Sequence, residues 1–283
     1  MPRFLITGAT GIVGRHTIAA LLELDRADLH VRAASRQPEQ LDYTSDRRVE
    51  AVAFDFADAD TYGPALAGAD AVMLVVPSVT PDVAALAAPF VDYLAAHGPK
   101  RLVYLSAYGA EHLPVYAPLV ARVRSAGLDL TVLEPTFFAS NFGTYEREGI
   151  EERGMIFQAS GDGRTAYVTP ADVGRAAAAV LTGGREHVGQ TYRLTGPQAL
   201  DLHEVAEQLS EVRGEHVRYV AASEQDYRGA LARAGVPGFV ADYMMPLYDL
   251  LRGGHVAEVS PDVERLTGRE PETLRLQLGR DFG

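Results

Sequence analysis

A chain of 283 residues, 47% of them hydrophobic and 23% charged, suits one α/β unit with an appended region and is too apolar to stay disordered. Its formal charge of −12 repels nucleic-acid phosphates and anionic headgroups, so neither a nucleic acid nor a membrane is expected as partner. With no cysteine there is no disulfide and no thiolate nucleophile or ligand.

Only three apolar residues follow Met1-Pro2-Arg3 before Thr7, too few for a signal-peptide core. No apolar run approaches the ~20 residues that span a bilayer, and a cytoplasmic location is the expectation. The eight histidines are scattered without a helical H-x-x-x-H pair, so no metal is expected. A G-x-S-x-G nucleophile elbow is also missing.

Along the chain, short apolar runs at 4–7, 30–35, 49–54, 71–76, 102–106 and 130–134 predict strands. Between them, helical spacing predicts helices over 12–24, 59–66, 83–97 and 116–126. This alternation is that of βαβ units closing a parallel sheet. After residue 135 glycines at 143, 149, 154, 161 and 163 mark a looser stretch. Beyond it the pattern predicts a helix over 170–181, a strand over 191–194 and helices over 201–212, 219–236 and 239–251, then a helical tail over 261–278.

The run Gly8-Ala9-Thr10-Gly11-Ile12-Val13-Gly14 lies between the first strand and first helix. There Gly8 permits a tight turn, Gly11 lets backbone N–H groups approach a pyrophosphate, and Gly14 lets the helix sit close to the strand. The expected fold is therefore α/β: a Rossmann-like doubly wound parallel sheet over 1–135, with strand contributions from 164–195. A smaller, mainly helical substrate lobe over 136–283 packs on it.

Nucleotide choice is expected at the end of the second strand. An acid there would accept from a ribose hydroxyl, but Ser35-Arg36 instead offers a hydroxyl and a guanidinium suited to a 2′-phosphate, favouring NADP(H). Arg32 reads as a solvated surface arginine. Asp55 either accepts from the adenine amino group or caps the next helix. The expected cofactor contacts are Thr7, Gly8, Thr10, Gly11, Ile12, Val13, Gly14, Ser35, Arg36 and Asp55. Strand ends and the segments after them add Phe56, Val76, Pro77, Ser106, Pro135 and Phe137.

Taken with Leu105-Ser106, these features resemble the NmrA-like group of atypical short-chain dehydrogenase/reductases. Further likeness lies in Ser125-Ala126-Gly127-Leu128 through Glu134-Pro135, in Phe137-Phe138-Ala139-Ser140-Asn141 and in Val168-Thr169-Pro170-Ala171-Asp172-Val173-Gly174. It continues in Thr191 through Pro197, in Leu202-His203-Glu204-Val205-Ala206 and in Leu266-Thr267-Gly268-Arg269-Glu270-Pro271. The resemblance covers nearly the whole chain and implies an NADP(H)-binding protein, with type 2 quinone oxidoreductases among its relatives. Two departures stand out. Glu134 replaces the Arg that usually precedes the strand-end proline, and Leu119 and Val120 stand where many relatives carry Lys or Thr-Glu.

For the chemistry, a short-chain dehydrogenase commonly lowers the pKa of a Tyr with a Lys four residues on. Here Tyr116 is followed at that offset by Val120, so the dyad is missing. Ser106 at a strand end, Tyr108, His112 and Tyr116 just beyond it, and Glu134 are the candidates for moving a proton. Phe137, Phe138, Asn141, Tyr145, Tyr167, Tyr243, Met244, Met245 and Tyr248 are candidates to line a flat apolar substrate, with core packing as the competing role.

The leading expectation is an NAD(P)H-dependent reductase of a quinone, enone or other carbonyl-containing aromatic or apolar small molecule. Two alternatives stand beside it. One is a non-catalytic NADP(H)-sensing regulator; the other is a lyase, isomerase or cyclase that keeps the nucleotide as scaffold. A homodimer is left open.

Overall fold

The computed structural model describes residues 1–41, 45–77 and 79–283. Its main sheet is seven-stranded, in the order β3-β2-β1-β4-β5-β6-β8. The strands are β1 (Arg3–Ile6), β2 (His30–Ser35), β3 (Val49–Ala53), β4 (Ala71–Leu74), β5 (Arg101–Leu105), β6 (Asp129–Pro135) and β8 (Thr191–Leu194). The pairs among β1 to β6 are parallel. On β8's side, Val132 N–H donates to Gln190 O and Gly189 N–H to Leu130 O. Strand order reverses between β1 and β4, the switch point where open α/β sheets take their ligands.

The chain divides into two compact units, Met1–Glu134 with Pro170–Arg193, and Pro135–Thr169 with Leu194–Gly283. In the first, β4 is buried on both faces, as its unbroken Ala71-Val72-Met73-Leu74 run demands of a central strand. Helices α1 (Ile12–Glu23), α2 (Tyr62–Leu66), α3 (Val83–His97), α4 (Ala117–Ser125) and α7 (Pro170–Thr182) belong to this unit. Asp82 caps α3 by accepting from Ala85 N–H at 2.8 Å.

Close approach of α7 to α1 is set by Gly174, where a Cβ would stand 2.5 Å from the backbone carbon of His16. Behind it, Ala176, Ala177 and Ala178 are all buried. Small residues let the two helix backbones come together where larger ones would hold them apart.

Arg32 is not a solvated surface arginine. It is 8% exposed, and its guanidinium donates to Ala65 O and Pro64 O and pairs with Glu50 at 2.8 Å. Satisfying two loop carbonyls and an acid is what makes burial of this charge tolerable.

The second unit holds α5 (Asn141–Thr144), α6 (Arg147–Arg153), β7 (Met155–Gln158), α8 (Leu202–Arg213), β9 (Arg218–Ala221), α9 (Glu224–Arg233), α10 (Gly238–Arg252), α11 (Asp262–Thr267) and α12 (Leu274–Phe282). Its core includes Phe142, Ile150, Ile156, Leu202, Val205, Leu209 and Leu278. A capping box starts α8, with Asp201 accepting from the Glu204 backbone and Glu204 from that of Asp201.

Two expectations change here. The 219–236 stretch is not one helix: β9 pairs in parallel with β7, and α9 starts after Ser223, which accepts from Asp226 N–H. Val217 and Tyr219 are buried while Arg218 between them is exposed, a period of two that a helix cannot satisfy. The expected tail over 261–278 is two helices, because Gly268 ends α11 at φ +67° and Pro271 follows.

Candidate functional site

The loop joining β1 to α1 is built around its glycines. Gly8 adopts φ +62°, and a Cβ on it would meet the Val75 side chain at 3.1 Å. A Cβ on Gly14 would stand 2.3 Å from Gly8 O and 2.9 Å from Ala9 Cα, so only glycine lets the helix close on its own entry loop. Gly11 is the N-cap and donates its N–H to Gly8 O at 2.9 Å.

The N-cap Gly11 has no side chain to cap α1 and the first turn holds no acid, which leaves the positive helix end for an anion. Thr10 and Gly11 are exposed and Ile12 is 45% exposed, so this end faces outward. Val13 is buried and has only its backbone N–H to offer. Thr7 has a different task. Its buried hydroxyl donates to Val75 O at 2.9 Å and accepts from Val75 N–H at 2.8 Å, tying β1 to the segment after β4. The residues present thus fit a dinucleotide: the cradle is one a Cβ would fill, and its anion end is open.

At the end of β2, Ser35 accepts from Gln37 N–H at 3.1 Å, and Arg36 beyond it is exposed. Asp55 accepts from Ala57 N–H at 2.9 Å. The cap of the following turn is Asp58, which accepts from Asp60 N–H. Phe56 packs edge-on against Phe54 at 4.8 Å and against Phe90 at 5.9 Å, while its carbonyl accepts from the Tyr62 hydroxyl. Val76 is half-buried and Pro77 exposed in the segment after β4.

The ends of β5 and β6 carry a second group of candidates. Leu105 pairs with Leu133, and Ser106 N–H donates to Leu133 O at 2.9 Å, so Ser106 and Glu134 stand side by side. Glu134 is 5% exposed, and burial pushes its carboxyl up to about 7. Glu111 adds to that rise, while Arg124 and Arg193 oppose it. Arg124 Nη2 lies 3.9 Å from a Glu134 oxygen. The Arg193 guanidinium lies over the Tyr108 ring, 4.7 Å from its centre.

Tyr104, which sequence reasoning missed, points to the same face of β5 as Ser106. Burial pushes its hydroxyl up to about 12, offset by nearby Ser106 and reinforced by Glu134. The alternation of strand residues could have found it by counting back two from Ser106. Tyr116 is buried at the start of α4, with Val120, also buried, one turn later. His112 is exposed, 3.7 Å from Glu111.

In the second unit Pro135 ends β6, and Phe137 and Phe138 are half-buried. Phe137 O accepts from Val168 N–H at 3.0 Å, and Asn141 opens α5. Tyr145 is 72% exposed. Tyr167 packs against Phe142 at 5.2 Å, and burial raises its hydroxyl pKa. On α10, Tyr243 and Met244 are half-buried and Met245 is buried. Tyr248 is fully buried, donating to the Tyr227 hydroxyl at 3.1 Å. Of these candidates Tyr167 lines a pocket of about 240 Å³, together with Leu200, Gln208, Thr273 and Arg275. Glu146, another residue not foreseen, accepts from Gln158 Nε2 at 2.8 Å, and burial raises its pKa.

A family model described as NAD(P)H-binding matches residues 8–183. The chain is 35% identical over 280 residues to the (4-alkanoyl-5-oxo-2,5-dihydrofuran-3-yl)methyl phosphate reductase of Streptomyces griseus, covering 96% of this chain and 95% of that one. It is 31% identical over 278 residues to the NAD(P)H azoreductase of Xenophilus azovorans, covering 95% and 94%. Among solved structures, the NADPH-dependent quinone oxidoreductase of Escherichia coli complexed with NADPH superposes with a TM-score of 0.89. It is 26% identical, covering 99% of this chain and all of that one.

Proposed function

Because the chain belongs to the NAD(P)H-binding, NmrA-like family of atypical short-chain dehydrogenase/reductases, we propose that it is an NADPH-dependent reductase. Its acceptor is a quinone, an enone or a related conjugated small molecule, met in the cytoplasm. The observation that carries this reading is the glycine cradle, closed by Gly14 against Gly8 O and open at the helix end. The reductase relatives support the reaction type.

In this reading the backbone N–H groups at the start of α1 hold the pyrophosphate, and Arg36 pairs with the 2′-phosphate. Bound NADPH supplies a hydride. Proton handling falls to the side chains beyond β5 and β6 and needs no Tyr–Lys dyad, since Val120 stands one turn after Tyr116. An electron-poor acceptor asks little more of the protein than orientation and a proton.

The test is consumption of NADPH against a panel of quinones, enones and azo compounds. Saturable turnover of at least one acceptor is expected. Nucleotide binding without turnover of any would contradict the proposal and favour a sensor. Acceptor conversion without net NADPH loss would contradict it in favour of a lyase or isomerase.

A further inference from the structure

We infer that Glu134 is the proton-holding group of the reaction and passes its proton through the Ser106 hydroxyl to the oxygen of the reduced acceptor. The inference rests on the reductase reading and adds the route of the proton.

Register carries it first. With Leu105 opposite Leu133 and Ser106 N–H on Leu133 O, Ser106 and Glu134 are lateral neighbours at the carboxyl ends of β5 and β6. Side chains of laterally paired residues point to the same face, and such strand ends are where doubly wound sheets bind ligands. Ser106 Oγ is buried and, among the described residues, makes no hydrogen bond of good geometry, the Tyr104 hydroxyl being the group that interacts with it. Buried hydroxyls are nearly always well paired, so one this poorly satisfied at a ligand-binding strand end points to a partner that arrives with the ligand.

The charges around Glu134 suit a group that alternates between acid and carboxylate. Tyr104 faces it from β5, Glu111 from the turn after β5, Arg124 from α4 and Arg193 from β8. Burial and Glu111 favour the protonated form, and the two arginines, held at the margin, moderate the cost of the ion. The resulting value of about 7 is matched to proton transfer near neutrality.

Once the acceptor has received a hydride, its oxygen carries the negative charge. The Ser106 O–H bond breaks as a new O–H bond forms on that oxygen, and Ser106 regains a proton from Glu134. Glu134 is left as a carboxylate facing Arg124 and Arg193, and solvent returns its proton. The sum is one hydride from the nucleotide and one proton from water per acceptor.

The experiment is the pH profile of kcat with NADPH and 1,4-naphthoquinone for wild type, Glu134→Gln and Ser106→Ala. In wild type kcat is expected to fall as pH rises through about 7. Glu134→Gln is expected to lower kcat about a hundredfold near neutrality, to lose that inflection and to keep the wild-type affinity for NADPH. A structural role alone would leave the inflection in place. Ser106→Ala is expected to lose rate comparably, and it carries the test if Glu134→Gln does not fold. Wild-type turnover without an inflection near 7, or with one that survives in Glu134→Gln, overturns the proton route and leaves the reductase reading standing. No turnover by wild type at any pH, with naphthoquinone or with any other quinone, enone or azo acceptor of the panel, overturns both.

Discussion

In the proposed reading, nucleotide choice turns on Arg36. It follows Ser35 into solvent at the end of β2, where a guanidinium meets a phosphate through charge-assisted hydrogen bonds worth about 1.5–3 kcal/mol. Arg36→Ala is therefore expected to raise the Kd for NADPH about tenfold to a hundredfold while leaving NADH nearly unchanged. Calorimetric titration with both nucleotides checks this, and an equal loss for the two would contradict it.

Glu134 makes a second prediction, this one about stability. A carboxyl raised from 4.5 to about 7 on folding opposes the native state once ionised. The penalty is absent well below 4.5, grows as pH rises, and is complete above about 7, where it amounts to ~3 kcal/mol at most. Glu134→Gln should unfold at higher urea than wild type at pH ~8, the gap closing as pH falls toward 4.5. A gap independent of pH would be the contrary result. Glu134 was visible in the sequence as an acid at a strand end. Arg32 was misread because its partners include the carbonyls of Pro64 and Ala65, which no residue pattern announces.

At the scale of elements, the glycines of α1 and α7 perform separable tasks. Gly174→Ala puts a Cβ 2.5 Å from the His16 backbone and should cost about 1–3 kcal/mol of stability by forcing the helices apart. Gly14→Ala meets Gly8 O at 2.3 Å, so it should distort the cradle and weaken nucleotide binding more than tenfold. Urea unfolding together with nucleotide titration of both variants separates the effects; equal losses of affinity would contradict the division.

The central strand β4 was legible because a buried parallel strand is a continuous apolar run, and the edge strand β3 because Val49 and Val52 are buried while Glu50 and Ala53 are exposed. Strand β7 was not, since Met155-Ile156-Phe157-Gln158 buries only Ile156 fully and lies in a glycine-rich stretch. Strand β9 was read as helix because Tyr219-Val220-Ala221-Ala222 runs directly into the genuine helix α9. What makes β9 a strand is its pairing with distant β7, a tertiary effect that overrides local propensity.

For the whole molecule, the chain passes between its two compact units after Glu134, after Thr169 and after Arg193. Local periodicity reports which face of an element is buried, but not which unit a returning segment joins. That is why the glycine cradle and the strand ends could be read from short stretches. The candidates Phe137 through Tyr248 could not be sorted between core and site, because aromatic and methionine residues serve both with the same spacing. Tyr248, fully buried against Tyr227, shows the core use of that pattern.

The central claim is that the cradle holds NADPH for turnover rather than for sensing. Its most direct test follows NADPH and a reducible quinone together in one reaction under anaerobic conditions. The two are expected to disappear one for one at a rate proportional to enzyme. Saturable NADPH binding with no loss of either compound would contradict it.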